Sequence, residues 1–388
     1  MRVSTATSAE IRFSLVYSGL FLALGAHLAF GQLWYEDWGL DPAEIGWLSA
    51  FAIAVRIVAG VALPALSDWI GKPRRFLAVL SLIGAMAGVA HLGVETRTGL
   101  YLLTAVLACA FAGMIPLTDA HGYAAADRMK FSYRRARSVG SFAFLAATFC
   151  VGAIAERFGN DVVMIWIGAS LALGAWAALA APMHGQKTPG PVWRGLGEVL
   201  ARPGIPMFLL CVAFLNASHA VYYAYGSIHW RAIGYSETLI GGLWAWGVLA
   251  EIALFLVGRS VIEHLGPTRG LALAGLAGAV RWGAMTFDPG IAALFALQTL
   301  HAATFGLMHL SALEFIARTV PEARRATAQG LMSAMAGGLA MVAATVLAAW
   351  AYPLYDAAAY LIGAFAGLGG AVAAVVLARA LRVQPHKT

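Results

Sequence analysis

Long apolar runs recur along the whole chain, each near the ~20 residues a helix needs to cross a bilayer, and short polar connections separate them. They predict helices over 12–33, 43–66, 76–94, 99–127, 135–157 and 161–182. A second set falls over 205–231, 237–258, 269–287, 290–319, 324–350 and 355–380. The longest polar interruption, HGQKTPGPVWRGLGEVLARPG at 184–204, is rich in Gly and Pro and divides the two sets. The expectation is an all-α membrane protein of twelve transmembrane helices in two six-helix bundles, with an N-terminal bundle over 1–183, a linker over 184–204 and a C-terminal bundle over 205–388. The first run is too long for a signal-peptide core and has no cleavage site, so it reads as the first helix.

One predicted helix breaks the apolar pattern. The stretch LQTLHAATFGLMHLSALEF, 297–315, carries Gln298, His301, His309 and Glu314. At ~100° per residue, His301, Phe305 and His309 fall within an arc of about 80° that also holds Gln298, with Glu314 well off it. Polar groups inside a membrane are costly and face a bundle interior or a watery cavity, so this face reads as the lining of a transport pathway.

Composition agrees with the pattern. The chain is 61% hydrophobic and 12% charged, with mean hydropathy +0.76, where soluble domains carry about 25% charged residues. The net charge of +7 forms no long basic patch, so no nucleic-acid partner is expected; the bases report topology instead. All but five of the 26 Lys and Arg gather on one side, in the loops around Lys72, Arg128, Lys187, Arg259 and Arg318 and near both termini. The opposite side has Arg97, Arg157 and Arg231, and Arg56 and Arg281 lie inside predicted helices. Both termini are therefore expected in the cytoplasm. Cys109, Cys150 and Cys211 lie in apolar runs without metal-ligand spacing, so neither metal nor disulfide is expected, and no cofactor is implied.

The halves share a motif. SDWIGKPRR at 67–75 is echoed by IEHLGPTRG at 262–270, aligning Asp68 with Glu263, Gly71 with Gly266 and Arg74 with Arg269. An acid, a tight Gly turn and a base at the loop after the second helix of each half suit a clamp between neighbouring helices. This arrangement resembles the major facilitator superfamily over essentially the whole chain. More narrowly, SHAVYYAYGSIHW (218–230), LWAWGVLAEIALF (243–255) and LHAATFGLMHLSALEFIA (300–317) resemble the 3-phenylpropionate permease group and its relatives among oligosaccharide:proton and nucleoside:proton symporters. YRRARSVGS at 133–141 resembles that group's Y-G-R-x-R-x-x-G-S at Tyr133, Arg135, Arg137, Gly140 and Ser141, and departs from it at Arg134. The superfamily loop D-R-x-G-R-[RK] is altered here, with Trp69 in place of its Arg. The resemblance implies a major facilitator fold, alternating access by two rocking bundles and uptake driven by protons. The setting it implies is a bacterial inner (plasma) membrane.

Three acids lie deep in predicted helices: Asp119, Glu251 and Glu314. A desolvated carboxyl holds its proton more tightly, which a proton carrier needs. Glu251 is the main candidate, since the resembling symporters have a functional acid at the matching place; the structural alternative is a permanent ion pair with Arg281. Arg281 keeps its proton and can pair, compete for the carboxylate or hold an anionic substrate. His301 and His309 titrate near neutrality and could relay a proton, His309 equally serving as a contact between helices. Asp119 and Arg137 could pair across the hairpin of helices four and five, as a gate or as part of the site; Glu314 reads as a structural contact. Candidate substrate contacts are His27, Gln32, Arg56, His219, Tyr222, Tyr223, Trp246 and Gln298. Arg56 and Arg281 with the aromatic residues make an aromatic or other carboxylate the expected solute. The function expected is a proton-coupled symporter of a small organic solute, working as a monomer in the lipid bilayer. The alternatives are a proton-coupled exporter and a membrane sensor that moves no solute. No nucleophile or metal constellation suggests an enzyme.

Overall fold

Lipid offers no hydrogen bonds to a backbone, so a chain this apolar must satisfy its amides internally. The computed structural model of the protein, which describes residues 5–183 and 195–383, is helical almost throughout. The first six long helices are α1 (Thr5–Asp37), α2 (Pro42–Ile70), α3 (Pro73–Ala90), α4 (Arg97–Met129), α5 (Tyr133–Phe158) and α6 (Asp161–Ala180). The short α7 (Leu196–Leu200) precedes α8 (Ile205–Ala217), α9 (Ala220–Ala232), α10 (Glu237–Leu265) and α11 (Pro267–Met285). The chain continues through α12 (Ile291–Thr299), α13 (Met308–Thr319), α14 (Glu322–Met332), α15 (Met341–Tyr355) and α16 (Tyr360–Val383).

Ten helical segments of the described residues are long and apolar enough to cross a membrane. One of them, Thr327–Arg382, runs for 56 residues. At ~1.5 Å per residue that far exceeds one crossing, and the chain turns within it at Asp356, whose φ is 45°. The segment therefore holds two rods. Adding α11, whose apolar run is interrupted by Arg281, brings the rods among the described residues to twelve, the number expected from the hydropathy pattern.

Three predicted helices are not continuous α-helices. The helix predicted over 205–231 is broken between α8 and α9, and wide π turns occupy Ala302–Leu307 and Ser333–Ala340, between α12 and α13 and between α14 and α15. Residues 184–194 of the predicted linker lie outside the described residues. Beyond them α7 carries Glu198, which accepts two hydrogen bonds from Arg324 at the start of α14, at 2.9 and 3.2 Å. That guanidinium holds the exposed Glu198 carboxyl below the usual carboxylate range.

The glycine of the repeated loop takes a similar φ in both halves, although the first loop is one residue longer, with Lys72 between Gly71 and α3. Gly71 and Gly266 end α2 and α10 with φ of 69° and 72°, a left-handed conformation that glycine adopts without strain. Their N–H groups donate to Ser67 C=O at 3.0 Å and Ile262 C=O at 2.9 Å, equivalent positions of the repeat. Pro73 and Pro267 then open the next helices. Arg74 and Arg269 are exposed, and the ion pairs of the described residues do not include Asp68 with Arg74.

Two compact units emerge: Met1–Asp41, Phe51–Pro189 and Trp230–Ala245 form the first, and Pro42–Ala50, Gly190–His229 and Trp246–Thr388 the second. Their limits depart from the half-chain boundary for local reasons. In the first unit Arg231 pairs with Glu36 and, at 2.8 Å, with Asp37, while Gly241 lies where a Cβ would come 2.2 Å from Thr148 O. In the second, Tyr225 Oη donates to Pro42 C=O at 2.8 Å. Each unit is built on a glycine crossing, the means by which membrane helices pack closely without a water-driven core. α1 meets α6 at Gly19 and Gly174, and α11 meets α16 at Gly275 and Gly367; an added Cβ at Gly19 or Gly275 would come 2.6 Å from the facing backbone.

Candidate functional site

The break between α8 and α9 begins the site. The N–H of His219 donates to Asn216 C=O, and Leu215 C=O, which a regular helix would have given it, accepts instead from Ser218 Oγ at 2.7 Å and His219 Nδ1 at 3.2 Å. Side chains that capture a backbone acceptor in this way interrupt a helix. The break turns the His219 ring inward, buried and edge-on to Trp282 at 5.3 Å.

Arg281 is the centre of this cluster. It is 1% exposed, and its guanidinium lies 4.3 Å from the Trp282 ring centroid and 5.0 Å from that of Tyr222. Its hydrogen bonds go to Gln298 Oε1, Thr304 Oγ1 at 3.0 Å and His301 Nδ1 at 3.2 Å. No carboxylate is among these acceptors. Glu251 of α10 instead faces the far side of the His301 ring, with Oε2 3.4 Å from Nε2. Gly306 leaves room for the acid, since an added Cβ there would reach 3.4 Å from Glu251 Cγ.

These contacts fix the direction of every proton in the chain. A guanidinium only donates, so His301 Nδ1 is an acceptor and the ring carries its hydrogen on Nε2, towards Glu251. A carbonyl only accepts, so His219 holds its hydrogen on Nδ1, towards Leu215. His219 Nε2, 3.2 Å from Thr304 Oγ1, therefore accepts the threonine hydroxyl hydrogen, and Thr304 accepts from Arg281. The result is two donor arms that diverge from Arg281, one through Thr304 to His219 and one through His301 to Glu251, all buried or nearly so. Arg281 Nε, Gln298 Nε2 and the Trp282 indole N–H are buried donors with no partner among the described residues, so the cluster retains capacity for an acceptor.

The other predicted residues divide between the two units. In the second, Tyr222 and Tyr223 stack beside Arg281 and His219. His301, Phe305 and His309 form a column of near-parallel rings with centroids 5.5 and 6.2 Å apart. Glu314 pairs with Arg318 at 2.6 Å. Trp246 stays out of the cluster: it is 43% exposed, and its indole donates to Thr299 Oγ1 at 2.9 Å. In the first unit, His27 folds over Gly31, packs 5.3 Å from the Phe111 ring and leaves Nδ1 buried without a partner among the described residues. Gln32 is half-buried on the same helix, and Arg56 is exposed on α2. Asp119 accepts from Tyr17 at 2.7 Å and Tyr133 at 3.1 Å and lies 3.6 Å from Arg137. Arg137 also covers the Phe21 ring at 4.3 Å. Thr304 escaped the sequence reading because a threonine in an apolar run carries no signal of its own. So did His229 and Asp288, 2.6 Å apart near the ends of α9 and α11.

The MFS_1 like family model matches residues 10–360. The chain belongs to this family. Members of the MFS_1 like family are transporters, and this one is a multi-pass membrane protein that moves small molecules and is not an enzyme. The probable 3-phenylpropionic acid transporter of Escherichia coli (strain K12) is 30% identical over 352 residues, covering 87% of this chain and 90% of that protein. The maltose permease of Geobacillus stearothermophilus is 25% identical, covering 95% and 94% of the two chains. The crystal structure of the nucleoside transporter NupG shares the fold of this MFS_1 like chain, with a TM-score of 0.79 at 15% identity over 97% of this chain and all of that one.

Proposed function

We propose that this transporter is a proton-coupled symporter that takes up a small aromatic carboxylate by alternating access of two six-helix bundles. It sits in a bacterial inner membrane with both termini in the cytoplasm, the side that the Lys- and Arg-rich loops favour. The observation that carries the reading is the buried line from Arg281 through His301 to Glu251.

With Glu251 ionised, this site holds one positive and one negative group. A proton on Glu251 leaves Arg281 without a counter-charge, and a substrate carboxylate supplies one. Uncompensated charge is expensive in a low-dielectric interior, so proton and anion favour each other's binding. The neutral acceptors now on Arg281, Gln298 and Thr304, can yield to a carboxylate. His301, in its Nε2–H form, links the loss of charge at Glu251 to the guanidinium. Tyr222, Tyr223 and Trp282 offer ring faces to an aromatic solute, and a relative carries the name of a 3-phenylpropionic acid transporter. In the first unit, Arg56 with His27 and Gln32 is a second set of polar substrate contacts, while Asp119 and Arg137 with their two tyrosines are a fixed tie at the basic end.

Proteoliposomes with an imposed inward proton gradient test the reading. The wild type accumulates 3-phenylpropionate above equilibrium, and Glu251→Gln abolishes accumulation while retaining exchange of labelled for unlabelled solute. Undiminished proton-driven accumulation by Glu251→Gln would remove the acid from the mechanism.

A further inference from the structure

His229 and Asp288 play no part in the line described above, yet they form a buried-to-exposed pair of a distinct kind. The His229 side chain is 6% exposed and that of Asp288 47%, with Nε2 to Oδ1 at 2.6 Å. Asp288 follows α11 with φ of 47°, a conformation more open to Asp than to most side chains. On the inner side, His229 Nδ1 is 3.2 Å from Tyr352 Oη. The Tyr352 ring is held by Tyr225, stacked at 4.1 Å, and the edge of His229 meets Tyr360 at 6.0 Å. The titratable groups around His229 are therefore Asp288 after α11, Tyr352 of α15, Tyr360 of α16 and Tyr225 of its own helix. Arg231, two residues on, turns instead to Glu36 and Asp37.

The two histidine environments differ in what they permit. His301 Nδ1 faces a permanent donor and cannot take a second hydrogen while that contact stands. His229 Nδ1 faces a hydroxyl, which donates to the neutral ring and accepts from the charged one. Asp288 accepts from Nε2–H of the charged ring, and when the neutral ring carries its hydrogen on Nδ1, towards the Tyr352 oxygen, Nε2 is open to a proton from the Asp288 side. His229 can therefore gain or lose a proton without moving any neighbour, as proton transfer requires. Inward of it, the Tyr360 hydroxyl is buried without a partner among the described residues. It lies in electrostatic range of Asp288 and Tyr352 on one side and of Tyr222 and Arg281 on the other, and its ring stacks on Trp282 at 6.2 Å.

We propose that His229 and Asp288 form the outer proton port of the second unit. Asp288 meets water, His229 takes up a proton on Nε2 to become imidazolium, and the proton on Nδ1 leaves inward past Tyr352 and Tyr360 to ionised Glu251, leaving neutral imidazole and a neutral acid. The assignment rests on the proton-coupled reading above.

The test uses the full-length protein in proteoliposomes. His229→Gln and Asp288→Asn are expected to slow proton-driven 3-phenylpropionate uptake at least ~10-fold while equilibrium exchange, which moves no net proton, stays within ~2-fold of the wild type. Added imidazole should restore uptake to His229→Ala. Uptake and exchange falling together would make the pair structural, and wild-type uptake in both variants would remove it from the proton path. If Glu251→Gln still accumulates solute, coupling itself fails; if only that variant is impaired, the port alone fails. A measurement independent of solute uses the nitrogen resonances of labelled histidine in the reconstituted protein. The His229 Nε2 resonance should move when Asp288 is replaced by Asn, and a resonance unchanged in that variant overturns the proposal.

Discussion

Arg281 and Arg56 are both cations within apolar helices, and their surroundings assign them different work. Arg281 is buried against three acceptors and two aromatic rings, so removing it strands Gln298, Thr304 and His301 and takes a positive charge from the site that holds Glu251. Arg281→Gln is expected to destabilise the protein by about 1–3 kcal/mol, and adding Glu251→Gln should recover part of that loss; thermal unfolding in detergent measures both. Arg56 is exposed, and no hydrogen bond or ion pair of the described residues reaches it. Arg56→Gln should leave unfolding within about 0.5 kcal/mol of the wild type. It should weaken binding of a carboxylate by ~10-fold or more, the worth of a charge-assisted hydrogen bond, and hardly affect the matching amide. Equal losses for acid and amide would make Arg56 a structural residue.

At the scale of elements, hydropathy located the helices because lipid demands long apolar rods, and the Gly71 and Gly266 turns stood out because the same local constraint recurs in both halves. The breaks within rods were hidden. The π turn at Ala302–Leu307 leaves the apolar pattern unchanged, and the α8–α9 break depends on Ser218 and His219 capturing Leu215 C=O, a competition that periodicity does not register. The polar face of 297–315 pointed to Gln298 and His301, but Thr304 and the partners of His229 are brought in by tertiary packing. Asp288 is a loop acid outside every motif, and Trp246, expected as a substrate contact, bonds Thr299 instead. The crossing of α11 and α16 sets the depth of Arg281 and is itself testable. An added Cβ at Gly367 would come 2.8 Å from Ala279 N, whereas Gly283 on α11 has open space. Gly367→Ala should lower stability by about 1–3 kcal/mol through overpacking. Gly283→Ala should be neutral or stabilising by up to ~1 kcal/mol. Comparable unfolding temperatures for the two variants would count against the crossing as the source of rigidity.

For the whole molecule, the proposed chemistry constrains which gradient can drive transport. The empty site with ionised Glu251 has no net charge in its Arg281, His301 and Glu251 line. The loaded site, with a proton on Glu251 and a carboxylate at Arg281, again has none. Either half-loaded form carries one unbalanced charge, which a low-dielectric environment penalises by several kcal/mol, so the two neutral forms are the ones able to change conformation. One proton and one monoanion then cross together and no net charge moves. Uptake in proteoliposomes should accordingly follow an imposed pH difference and be unchanged, within about 2-fold, by a potassium-diffusion potential of ~100 mV. One elementary charge crossing that potential corresponds to ~2.3 kcal/mol, or nearly 50-fold in accumulation, so the two cases separate clearly. Strong acceleration by an inside-negative potential would mean that more than one proton accompanies each anion, and a second protonated group would then have to share the inner site with Glu251.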